Sequence, residues 1–178
     1  MPSVACTNCN STNTCHIMYG MPAFTPELEQ KLAAGKVHLG GCVMEVNSPN
    51  RHCNDCELDF DMNAPDIYLD IDGVLLANDL TPANYSKEFL ATVLGRYPHT
   101  TYWLTTHCDG DPNVPIQHIG NLFDDETVEL MKKIKPTTWQ TAKTRARDFT
   151  KPFLWFDDDL FYEEKETLKK LRCLQSYR

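Results

Sequence analysis

Residues 67–76, IYLDIDGVLL, place two carboxylates inside an apolar run. Ile67, Leu69, Ile71, Val74, Leu75 and Leu76 favour burial, and a run of this kind predicts a strand buried within a sheet. Carrying Asp70 and Asp72 into such surroundings is costly unless a cation or hydrogen-bond donors compensate. The strand should therefore end at these acids, and other parts of the chain must bring partners to them.

The segment that follows supplies more elements of the same kind. DIYLD, TTYWLTT and PFLWFDD are short β-rich runs, each ending in polar residues. Helical stretches lie between and after them. Thr81-Pro82 opens ANYSKEFLATVLGRY, which Gly95 is expected to close. DDETVELMKKI has acids in its first turn and lysines in its last, as a helix dipole favours, and EEKETLKKL is similar. Strands alternating with helices predict an α/β fold of βαβ units with a mainly parallel sheet. This domain is expected over residues 63–178, with the boundary near Asn63-Ala64-Pro65.

Residues 1–62 read differently, being rich in Cys, Asn, Gly and Pro. One short helix is expected in TPELEQKLAAGK, with Thr25 as cap, Pro26 at the first helical position and Gly35 at the end. Six of the eight cysteines fall here. Cys6 and Cys9 form one C-x-x-C pair, and Cys53 and Cys56 form another. No basic start followed by an apolar block marks a secretory signal, and no apolar run approaches the roughly 20 residues that span a bilayer. A soluble cytoplasmic protein is expected, in which paired cysteines read as metal ligands rather than disulfides. Two C-x-x-C turns complete a tetrahedral zinc site, closed and therefore structural. In so small a segment the metal would supply folding free energy. The spacing is long, since 43 residues separate Cys9 from Cys53. Cys15, Cys42, His16, His38 and His52 are further available ligands, with Cys15 and Cys42 expected as buried small hydrophobes.

CTNCNS at the start, MYGMP at 18–22, GKVHLGGC at 35–42 and CNDCELDF at 53–60 together resemble a zinc-ribbon-like family of small bacterial proteins. The resemblance covers nearly all of the first 60 residues. It implies a zinc-bound fold and no chemistry.

For the carboxylates, a calcium loop would need acids at alternate positions before Gly73, but position 68 is Tyr and no glutamate closes the loop at the right distance. A receiver-type phospho-acceptor domain has its phosphorylated Asp mid-chain, after an earlier acidic pair. Here the mid-chain strand ends in Thr-Thr and FDDDL comes last. The order of Asp70-x-Asp72-Gly73-Val74, TYWLTT with Thr105, Lys143 in TWQTAKTRA, and FLWFDDDL with Asp157 and Asp158 resembles the four motifs of the haloacid dehalogenase-like superfamily. The resemblance covers about residues 66–176 and implies a Rossmann-like parallel sheet with helices on both faces. Lys135 and Lys151 are rivals to Lys143 for the third motif.

That resemblance implies an Mg²⁺-dependent phosphatase, a phosphoric monoester hydrolase. Asp70 would be the nucleophile that forms an aspartyl-phosphate. Asp72, two residues on and so on the same face, would protonate the leaving oxygen and then activate water. Thr105 and Lys143 would hold the phosphoryl oxygens. Asp157 and Asp158, with Asp70 and the Asp72 carbonyl, would hold Mg²⁺. Phosphatases of this pattern carry Asp at the position of Asp72, phosphate-transferring pumps carry Thr, and carbon–halogen hydrolases lack the acid. His107 and Cys108 are expected to be loop or packing residues.

Neither gap between motifs has room for a folded cap. Only 34 residues separate Asp72 from His107, and HCDGDPNVPIQHIGNLF reads as loop. The site should therefore be open. The formal charge of −8 argues against a chain that coats nucleic acid as a whole, yet Lys132, Lys133, Lys135, Lys143, Arg145, Arg147 and Lys151 face one acid, Asp148, within residues 132–151. Either this is a solvated face or it guides a polyanionic substrate, such as a nucleic-acid end or a phosphoprotein. The alternative functions are a phosphotransferase, or a zinc-containing binding protein on an inert scaffold.

Overall fold

A computed structural model describes the backbone of residues 4–45, 48–146, 149 and 151–175, and side chains through residue 170. The chain divides into two compact units, Met1–Ala64 and Pro65–Arg178. Among the described residues no helix is long and apolar enough to cross a membrane.

The first unit contains β1 (Thr14–Met18), α1 (Pro26–Ala33), β2 (Val37–Leu39), β3 (Arg51–Cys53) and β4 (Asp59–Phe60). The strands form one sheet in the order β2-β1-β3-β4. β2 runs parallel to β1, across the α1 crossover, and the other pairs are antiparallel. Thr25 caps α1 by accepting the Leu28 N–H, and Pro26 opens the helix. Gly35 takes φ +62°, which lets the Lys36 N–H close back on the Lys31 carbonyl at 2.9 Å.

The second unit is mixed α/β. It contains β5 (Asp66–Leu69), α2 (Ser86–Arg96), β6 (Thr101–Trp103), α3 (Asn113–Ile119), α4 (Asp125–Met131), β7 (Phe153–Phe156) and α5 (Tyr162–Gln175). Its three strands are parallel in the order β6-β5-β7. The central strand is buried on both faces, which is why its sequence reads as a continuous apolar run. Ile67, Leu69 and Trp103 pack into one core with Leu90 and Val93 of α2, Ile119 of α3 and Met131 of α4. On the other face Tyr68, Tyr102 and Leu104 meet Phe149, Trp139 and Trp155.

The structure departs from the expected elements in two places. Residues 81–85 are not helical. The Ala77 N–H bonds the Thr81 carbonyl and the Ala83 N–H bonds the Leu75 carbonyl, both at 2.8 Å, so this stretch folds back on residues 75–77 and α2 starts at Ser86. Gly95 lies within α2 rather than ending it. Residues 107–123, expected as loop, contain α3 and a 3₁₀ turn over Gly120–Leu122. Pro115 is the third residue of α3, where its missing N–H has no helical partner to lose. Ile119 and Met131 lie in the main core, so the stretch between Thr105 and Lys143 belongs to the body of the unit and is not a cap.

Candidate functional site

β5 is the central strand, with β6 on one side and β7 on the other, so the chain reverses its direction of travel across the sheet at β5. The crevice beyond the carboxyl ends of strands at such a switch point is where open α/β sheets bind ligands. Asp70 is the first residue past β5, and its N–H still bonds the Phe156 carbonyl of β7 at 3.0 Å. Asp70 is buried, with 7% of the residue exposed. Its Oδ1 accepts the Ile71 N–H at 2.7 Å and its Oδ2 accepts Lys143 Nζ at 2.5 Å.

Lys143 begins a 3₁₀ turn, Lys143–Arg145, and is buried. Its ammonium also donates to Asp157 Oδ2 at 2.6 Å. Burial alone would lower its pKa, but the hydrogen bonds to Asp157 and Asp70 outweigh that and raise it, so the side chain is held as a cation. The rival lysines are elsewhere. Lys135 lies half-buried near the Tyr102 ring, and Lys151 is exposed.

Asp157 follows β7 directly. Its Oδ2 also accepts Trp155 Nε1 at 3.1 Å and its Oδ1 accepts the Asp159 N–H at 3.0 Å. Burial raises its pKa, and the Lys143 hydrogen bond opposes the rise. Asp158 is exposed. One oxygen each from Asp70, Asp157 and Asp158 lie within 4.8 Å of one another. Asp158 also explains Gly73. With φ +69°, a Cβ on Gly73 would fall 2.1 Å from the Asp158 Cγ, so any side chain there would displace the carboxylate. Three carboxylates against one ammonium leave an excess of negative charge, and an all-oxygen cluster of this kind fits a hard divalent cation.

Asp72 lies outside that group. Its carboxylate points to His107, whose Nε2 is 3.2 Å from Asp72 Oδ2. His107 lies in the turn after β6 and stacks on His118, as expected of a loop or packing residue, and the contact with Asp72 is an addition to that reading. Thr105, two residues past β6, is fully buried and its Oγ1 accepts the His107 N–H at 3.3 Å. Cys108 is in the core, where burial raises its pKa, an inert setting for a thiol.

Glu164 of α5 is a residue that sequence reasoning missed. It is 1% exposed. Oε1 accepts the Lys143 N–H at 2.9 Å and Oε2 accepts the Phe161 N–H at 3.0 Å. The second bond is the return half of a capping box, with the glutamate at the third helical position. Position 161 is Phe rather than the Ser or Thr of a capping-box signature, so the sequence did not mark this cap, and nothing local tied Glu164 to Lys143.

In the first unit, Cys6, Cys9, Cys53 and Cys56 place their sulfurs within 4.8 Å of one another. The Cys6–Cys56 and Cys9–Cys53 sulfurs are each 3.6 Å apart, close to the roughly 3.8 Å edge of a tetrahedron with metal–sulfur bonds of about 2.3 Å. The two turns are built alike. The Cys6 N–H bonds the Ser11 carbonyl as the Cys53 N–H bonds that of Leu58, and the residues after each pair, Asn10 and Glu57, both take left-handed φ. Thiols this close ionise unequally, the neighbouring sulfurs raising Cys6 and Cys9 and lowering Cys56. Cys9 is pushed up to about 12 despite a backbone hydrogen bond at Ser11, whereas the Leu58 N–H brings Cys56 down to about 7. A divalent cation such as zinc would reconcile four thiolates. Cys15 is buried as expected, but Cys42 is exposed, a correction that follows from its place in the open turn after Gly41. His38, His52 and Asp59 also lie together. The two imidazoles stack face to face at 3.8 Å and 5°, so their in-plane lone pairs do not converge on one ion, and His52 Nδ1 bonds Asp59 at 2.6 Å instead.

The basic stretch is less continuous than its sequence. Lys143 is engaged between carboxylates and Lys132 pairs with Glu129, while Lys133, Arg145 and Lys151 are exposed. Arg147 and Asp148 lie outside the described residues. Comparison of the chain with protein-family models, with curated proteins and with solved structures finds no match.

Proposed function

We propose that residues 65–178 form an Mg²⁺-dependent phosphohydrolase of the haloacid dehalogenase-like type, joined to a first unit that holds one structural zinc ion on Cys6, Cys9, Cys53 and Cys56. The observation that carries this reading is Lys143, whose ammonium bridges Asp70 and Asp157 although the three residues come from separate segments. In this reading an Asp70 oxygen attacks phosphorus while the bond to the leaving oxygen breaks and Asp72 protonates that oxygen. Asp72, now a carboxylate, takes a proton from water. The water oxygen attacks phosphorus, and breakage of the Asp70–phosphorus link restores the carboxylate. Lys143 and the Thr105 hydroxyl stabilise charge on the phosphoryl oxygens. Asp70, Asp158, Asp157 and the Asp72 carbonyl would hold Mg²⁺, which supplies charge neutralisation at the phosphoryl group.

The substrate we infer is a phosphorylated polyanion end, a nucleic-acid end ahead of a phosphoprotein. The absence of a cap between the strands and the exposure of Asp158 and of Lys133, Arg145 and Lys151 support it. Contacts to several phosphates make binding fall steeply with salt. The test of the chemistry is Mg²⁺-dependent release of phosphate by the full chain and its loss in Asp70→Asn. Transfer to an added alcohol in place of water would favour a phosphotransferase. No turnover would favour a binding protein.

A further inference from the structure

We propose that His107 is the positioning residue for Asp72, with its ring held in place by His118. The inference rests on the phosphohydrolase reading and extends it to the leaving-group side of the site. Asp72 lies in the turn that leaves β5, and its side chain is 52% exposed. An exposed aspartate samples several rotamers, yet an acid that must reach the leaving oxygen has to present one oxygen in one direction. His107 supplies the restraint. Its Nε2 lies 3.2 Å from Asp72 Oδ2, and in the tautomer that carries the proton on Nε2 it donates there, which leaves Oδ1 as the oxygen that carries the transferable proton. The same residue donates its backbone N–H to Thr105 Oγ1 at 3.3 Å. His107 thus links the phosphoryl-binding hydroxyl to the acid.

The ring of His107 is itself held. His118, in the last turn of α3, stacks on it with centroids 3.9 Å apart and planes 19° from parallel. The next residue, Ile119, is 1% exposed and anchors α3 in the main core. The order of support runs from core to α3, to His118, to His107, to Asp72. This gives α3 a role at the site that its loop-like sequence did not suggest.

A purely structural link between two loops would also bond His107 to Asp72, so the test reads leaving-group dependence. An activated aryl phosphate expels its phenolate without a proton, whereas an alkyl phosphate needs the acid. The ratio kcat/KM reports steps through formation of the aspartyl-phosphate, where the acid acts. His107→Ala in the full chain with Mg²⁺ is expected to lower kcat/KM for the alkyl ester about tenfold or more, part of the roughly 10²–10⁴-fold that a general acid contributes, and to change the aryl ester by less than about threefold. His107→Gln, whose amide nitrogen can take the place of Nε2, should recover most of the loss, and His118→Ala should show the same selectivity at smaller size. Equal losses on both esters, or none, overturn the inference while wild type and the inactive Asp70→Asn still uphold the phosphohydrolase. Equal turnover in wild type and Asp70→Asn, or none in either, overturns both.

Discussion

The Glu164 carboxylate accepts the backbone N–H of Lys143 at 2.9 Å across 21 residues of sequence, and with its other oxygen it caps α5. One buried side chain therefore fixes both the start of the last helix and the turn that aims the lysine at Asp70. Glu164→Ala should leave two N–H groups without their acceptor and cost about 1–3 kcal/mol, read by urea denaturation. Turnover should fall with it. Glu164→Gln keeps one acceptor and should lie between. A variant as stable as wild type would show that the turn is held by other means.

Removing the ammonium itself should be more severe. Lys143→Met leaves Asp70 and Asp157 facing each other with no cation, and breaking a buried pair in this way costs about 3–5 kcal/mol. Loss of a preorganised donor to the phosphoryl oxygens should lower kcat by about 10²-fold or more. Added Mg²⁺ should raise the Tm of Lys143→Met more than that of wild type, because the carboxylates then lack an internal cation. Equal shifts would mean that the carboxylates do not gather a divalent ion.

β5, β6 and β7 were legible because buried parallel strands must be apolar on both faces and must turn polar where they end. The same rule marked Asp70, Thr105, Asp157 and Asp158, each at or within two residues of a strand end. Lys143 was legible only by its place in the chain order. α3 was hidden because Asp109, Gly110, Pro112 and Pro115 signal turns, and a proline in a first helical turn looks like a breaker until the helix is seen. His107 and Glu164 act over 35 and 21 residues, and contacts at that range leave no local pattern. In the first unit the cysteine turns stood out, but strands of two to five residues are too short to show alternation.

Zinc should be present at about one ion per chain, released only when the thiols are modified, as a chromophoric chelator would record. Cys53→Ser should expose residues 4–64 to proteolysis and leave the second unit's unfolding transition in place. A zinc-free protein with a protease-resistant first unit would contradict the assignment.

Asp124 caps α4 and should give the second unit part of its acid sensitivity. The Thr127 backbone N–H at 2.8 Å, its hydroxyl and the Lys87 ammonium hold the carboxyl at about 2, below its ordinary 3.8. A depressed folded value means that its stabilisation is complete above pH 3.8 and is lost as the pH falls through about 2. Over that window wild type should lose more stability than Asp124→Asn. Identical acid slopes would show that the cap's charge contributes nothing.

The most direct measurement is phosphate release from an activated aryl phosphate by the full-length protein, with and without Mg²⁺, for wild type and Asp70→Asn. Asp70→Asn replaces the attacking oxygen's carboxylate with an amide of nearly the same shape, so a folded variant isolates the chemistry. The expected result is Mg²⁺-dependent turnover in wild type and none above background in a folded Asp70→Asn. Turnover that survives in Asp70→Asn, or that does not depend on Mg²⁺, would contradict an aspartyl-phosphate mechanism at this site.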